Sequence, residues 1–221
     1  MIDDTWFNSL HCTVARCRFM AAQDFLGQTL KMKQQKPMIV TFRSDWETEA
    51  ADLLATLRAD LGEMASRIEH IGSTAIPLMP SKDIIDLQVS VIDLELASRS
   101  FDQPLRSLGF QLSPYQADHV PAGRIDDPAN WTKRLWVRHA GSLSGVNLHI
   151  RRRGSPNERL ALLFRDWFLA HPEAVPAYGT FKSSLAEIAR DTGVYVDVKD
   201  PVVDLVIAVA EKWAAETNWR P

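Results

Sequence analysis

An acidic residue on a strand face close to a glycine–hydroxyl turn is the first place where this chain could do chemistry. Asp86 lies in the run IIDLQVSV, in which Ile85, Leu87, Val89 and Val91 alternate with Ile84, Asp86, Gln88 and Ser90. Period-two alternation predicts a strand with one apolar and one polar face, so Asp86 and Gln88 share a side. Upstream, the apolar run RIEHI is followed by a small polar turn of Gly72, Ser73 and Thr74. Backbone N–H groups and hydroxyls beside a carboxylate are what a phosphate with a divalent cation requires. The same Ser73 and Thr74 would also serve simply to cap the turn that follows.

A second alternating run, Val146 to Arg151, places Asn147, His149 and Arg151 on one face. Asp86, Gln88, His149 and the Gly72–Thr74 turn are therefore expected to line one cleft. Histidine is a poor magnesium ligand and a good one for zinc or manganese, so His149 is either a site residue or a core histidine, as is His70. Lys82, Lys133, Arg134 and Arg138 would either hold a triphosphate or form the charged face of an edge strand. Arg151 is the one member of the Arg151–Arg153 triplet on the polar strand face.

Composition narrows the classes. The chain has 221 residues, 46% of them hydrophobic, and a formal charge of −3. That charge argues against non-specific nucleic-acid binding, which needs a basic surface. No run reaches the roughly 18 apolar residues of a membrane span. Cys12 and Cys17 have no His or Cys partners at zinc-site spacing and read as reduced thiols of a cytoplasmic protein.

The elements that would position these residues follow in order. Residues 1–36 form an extension that is either an added helix or partly disordered, and a domain is expected over 37–218. Met38 to Phe42 reads as a short strand. Ser44 and Glu47 read as a capping box for a helix closed by Gly62. Leu94 to Leu108 reads as a helix disturbed by Pro104. Tyr115 to Trp131 is a long polar loop of the kind that forms lids. Lys133–His139 and Val146–Arg151 read as a hairpin, and Ser155-Pro156-Asn157-Glu158 as a helix start. Helices are expected from about Glu173 to Arg190 and from Val202 to Glu216. The tryptophans and the HPEAVPAYGTFK stretch read as packing anchors without chemistry. The order implies an α+β domain, its sheet covered by helices, with a helical C-terminal part.

HIGSTAIP, SKDIIDLQVSV, NLHI and RLALLFRDWFLAHPEAVPAYGTFKSSLA together resemble the GrpB family, which is related to a domain fused to some dephospho-CoA kinases. The resemblance covers about residues 38 to 215. It implies the nucleotidyltransferase fold, in which a Gly-Ser turn holds phosphate and carboxylates on the next strand bind magnesium. Gly72 and Ser73 would then be the turn and Asp86 the first metal carboxylate, with Mg2+ or Mn2+ and a nucleotide or phosphorylated small molecule as ligands. His149 lies where the superfamily usually has its third carboxylate. The position two residues after Asp86, which should be acidic, is Gln88; Asp83 and Glu69 are the nearest substitutes in sequence. The alternatives to nucleotidyl transfer are a degenerate binding module and an interaction module.

Overall fold

The computed structural model describes residues 35–141 and 143–221. Expectations for residues 1–34, including the two cysteines, lie outside the described residues. Five strands make one mixed sheet: β1 (Arg67–Ile71), β2 (Ile84–Val91), β3 (Gln111–Leu112), β4 (Lys133–Arg138) and β5 (Gly145–Arg152). Their spatial order is β1-β2-β5-β4-β3. Only β2 and β5 run parallel; the other neighbours are antiparallel.

Alternation decides the two faces. Ile85, Leu87, Val89, Leu148, Ile150 and Trp136 are fully buried on one side. They pack with Trp46, Ala50 and Leu57 of α1 (Asp45–Leu61), Ala97 of α2 (Leu94–Ser100), and Phe101 with Leu105 of α3 (Asp102–Ser107). The polar face is crossed at one end by α4 (Pro156–Ala170). There Glu158 is 1% exposed and accepts hydrogen bonds from Arg67 Nη2, Ser90 Oγ and the Gly154 N–H. Helices α5 (Val175–Ile188) and α6 (Thr192–Thr217) complete the C-terminal part around Phe168, Tyr178 and Ile207. The expected α+β architecture is what the chain forms.

Several local expectations are corrected. Met38–Phe42 makes only a single bridge, Val40 to Ser81, because its apolar residues pack into two different clusters. Ser44 makes no side-chain cap. The expected helix before β3 is two helices broken at Phe101, and Pro104 sits harmlessly in the first turn of the second. The last helix starts not at Val202 but at Thr192, capped by Asp191, and carries Pro201 inside it.

Candidate functional site

Backbone geometry creates the centre of the site. Ile71 pairs with Asp86, so the end of β1 stands beside that carboxylate. The chain then turns through Gly72 at φ +71°, and a Cβ there would lie 2.6 Å from Asp86 Oδ2. Glycine alone permits both the left-handed backbone and the approach. Ser73 opens onto the cleft. Thr74 does not: it is buried, and its hydroxyl is 2.9 Å from His70 Nε2. His70 thus fastens the turn rather than lining the cleft. Burial, helped by Arg165, pushes its pKa down to about 4 against the pull of Asp86.

On the sheet floor, Asn147 Nδ2 donates to Asp86 Oδ1 at 2.9 Å, and His149 Nε2 is 3.6 Å from the same oxygen. The other ring nitrogen, Nδ1, faces Arg151 Nη2 at 3.2 Å and Lys133 Nζ at 3.4 Å. Both cations can only donate, so Nδ1 accepts and the ring proton sits on Nε2, toward Asp86. Burial, then Lys133 and Arg151, push the His149 pKa down to about 4, which leaves the ring neutral at pH 7. A ring whose lone pair already receives two cations is poorly placed to ligate metal or take a proton. Burial alone would raise the Asp86 pKa; His149, Asn147 and the charge on Lys82 outweigh it and hold the carboxyl below its usual range.

Gln88 shares the Asp86 face but not its surroundings. It is fully buried beneath α4, donates to the Glu158 carbonyl at 3.2 Å and accepts from Arg151 Nη1 at 2.6 Å. The expectation that Gln88 lines the cleft is therefore corrected, since α4 lies on it. Arg134 is also corrected: its neighbour Lys133 lines the cleft, whereas Arg134 reaches Glu95 at the edge of α2. Neither substitute acid reaches the site. Asp83 accepts from Arg43, Trp46 and Ser144, and Glu69 pairs with Arg165.

The loop before β4 supplies a carboxylate that sequence reasoning missed. It folds back through the Ala117–Thr132 bridge and delivers Asp118 to Lys133, Arg151 Nε (2.9 Å) and Asn157 Nδ2 (3.0 Å). Burial opposes the Asp118 charge, but Arg151 and Lys133 hold it well below the usual carboxylate range. His119 Nε2 lies 2.9 Å from Asp204 on α6, so the loop is fastened across the cleft mouth. Two cationic candidates are thereby spent internally, Lys133 and Arg151 on Asp118.

Two other cations are not spent. Lys82 and Lys182 line the same cleft of about 590 Å³ as Asp86 and Ser73, and neither has an ion-pair partner among the described residues. Their ammonium groups lie instead over aromatic rings, Lys82 5.6 Å from the Tyr195 centroid and Lys182 5.3 Å from that of Tyr178. Lys182 and Tyr178 belong to the stretch read as packing anchors: Tyr178 does pack, against Phe164 and Phe168, while Lys182 at the end of the stretch lines the cleft. The signal that could have found Lys182 is a lysine on the otherwise apolar face of its helix.

Among the described residues no group of three or more His, Cys, Asp or Glu side chains is placed to hold a metal. With Gln88 buried and the His149 lone pair engaged, the donor set does not fit a two-ion centre. It fits one magnesium ion at most, held by Asp86 together with phosphate oxygens of a ligand.

Comparison with known proteins gives the family and the fold. The dephospho-CoA kinase of Mycolicibacterium paratuberculosis is 34% identical over 197 residues, covering 80% of this chain and 46% of that protein. The UPF0157 protein YqkA of Bacillus subtilis is 28% identical over 200 residues, covering 90% of this chain and 54% of that protein. The chain thus spans about half the length of these curated relatives. The crystal structure of conserved protein GrpB from Enterococcus faecalis superposes with a TM-score of 0.65 at 21% identity, over 79% of this chain and 98% of that one. The family model described as GrpB protein matches residues 36–208. The chain belongs to the GrpB family.

Proposed function

We propose that the cleft binds a nucleotide or another phosphorylated small molecule, with its phosphates between the Gly72–Ser73 turn and the ammonium group of Lys82, beside Lys182. The observation that carries this reading is Lys82, which lines the cleft that Asp86 floors and has no ion-pair partner among the described residues. An ammonium group left uncompensated in a partly buried site is costly unless an anionic ligand supplies the missing charge. A magnesium ion would be held by Asp86 and would neutralise phosphate charge. The resemblance to nucleotidyltransferases supports a nucleotide, and the names of the dephospho-CoA kinase relatives add coenzyme A to the ligands worth testing.

The test is a thermal-shift screen of the full chain with ATP, GTP, CTP, UTP and coenzyme A, with and without Mg2+ or Mn2+. A ligand at one hundred times its dissociation constant adds about 2.7 kcal/mol of stability. Asp86→Asn should abolish the metal dependence of the shift, and Lys82→Met should weaken the shift itself. No response to any ligand at millimolar concentration would reject the reading.

Asp86 with Oδ2 against the phosphate turn also favours a second reading, nucleotidyl transfer to a small-molecule hydroxyl. Pyrophosphate release that depends on Asp86 would establish it. Gln88→Asp is not a restoring change, because an acid there would meet Arg151 beneath α4 rather than a ligand.

A further inference from the structure

Lys182 is set apart from the other cations by how it is held. A Cβ on Gly179 would lie 2.7 Å from Pro80 Cδ, so α5 packs hard against the link that carries Lys82. Lys182, one turn further along α5, is brought to the same end of the cleft and is only 2% exposed. Around it stand Lys82 from the link, Asp86 from β2, Tyr178 from its own helix, and Lys199 of α6, itself paired with Asp200 at 3.0 Å. Phe164 and Val203 line the same cleft with apolar surface.

We infer that Lys182 is a nucleophilic amine that forms an imine with a small aldehyde or ketone entering the cleft. Combined with the phosphate reading, on which this part rests, the ligand class is a phosphorylated carbonyl compound. The nitrogen lone pair adds to the carbonyl carbon, giving a carbinolamine. A proton passes from nitrogen to the former carbonyl oxygen, and loss of the resulting hydroxyl with the remaining nitrogen proton, as water, leaves the C=N bond. Such an amine must be uncharged to attack, and desolvation beside other cations is the known way to achieve that. Burial, with Lys199 and Lys82 acting in the same sense and Asp86 opposing, lowers the Lys182 pKa to about 7. Its free-amine fraction at pH 7 then exceeds that of an ordinary lysine on the order of a thousandfold.

The experiment treats the full wild-type chain with pyridoxal or pyridoxal 5′-phosphate, traps imines with borohydride, and maps modified lysines by mass spectrometry. Lys212, whose side chain is 78% exposed, serves as the internal reference. Lys182 should be modified at least tenfold faster than Lys212 at pH 7, with a rate that levels off just above that pH. Lys182 modified no faster than Lys212 by either aldehyde overturns the inference. If both aldehydes modify Lys182 selectively but equally, the amine stands and the phosphate reading fails. A phosphate advantage that disappears in Lys82→Met supports both.

Discussion

At the scale of single residues, Gly72 and the two partly buried histidines make the site testable without knowing its ligand. Gly72→Ala forces a left-handed alanine and sets its Cβ against Asp86 Oδ2. It should cost about 1–3 kcal/mol in urea denaturation and remove any ligand-induced shift. His70 and His149 both have pKa values lowered to about 4 from the ordinary 6.5. Between those limits the unfolded chain binds protons that the folded chain refuses. The stability these rings contribute is therefore full above pH 6.5, declines as pH falls, and is lost by about pH 4. For His149 the loss is on the order of 3 kcal/mol. The melting temperature should fall across that window, and His149→Asn should flatten the fall. Asp86 and Asp118, whose pKa values are lowered from 3.8, add their losses only below that range.

Among the elements, α4 has the largest say in what the polar sheet face can do. Its Glu158 holds Arg67 of β1 and Ser90 of β2, and its backbone carbonyl holds Gln88. Glu158→Ala leaves a partly buried Arg67 and a buried hydroxyl without their acceptor. A loss of about 3 kcal/mol is expected, at the lower end for a broken buried pair because Arg67 keeps some solvent contact. Urea denaturation checks it, and a loss within 0.5 kcal/mol of zero, the usual range for surface substitutions, would mean that α4 is not held through this carboxylate.

For the molecule as a whole, the sheet was legible because period-two alternation marks β2 and β5 without reference to anything else. Asp86 stood out for the same reason. Alternation assigns a sheet face but is silent on which helix lands there, so it predicts an open Gln88 where α4 covers it. Arg134 was a different kind of error: the same alternation separates it from Lys133, and adjacency in sequence obscured that. Asp118 and Lys182 depend on contacts made across the fold, one by a returning loop and one by Gly179 meeting Pro80. No local pattern carries that information for Asp118, and the lysine on an apolar helix face marks Lys182 without saying what it meets.

The single parallel pair, β2 with β5, has a consequence for how the cleft comes into being. Asp86 and its partner Asn147 are 61 residues apart, and everything from α2 to β4 must be made before they can meet. Pairings of such separation are entropically slow to close. On a ribosome, a nascent chain that has emerged only through α3 has the glycine turn and the carboxylate but no floor beneath them. Cellular ligands would find nothing to grip during that interval, so ligand binding can reward only a nearly finished molecule and cannot guide its assembly.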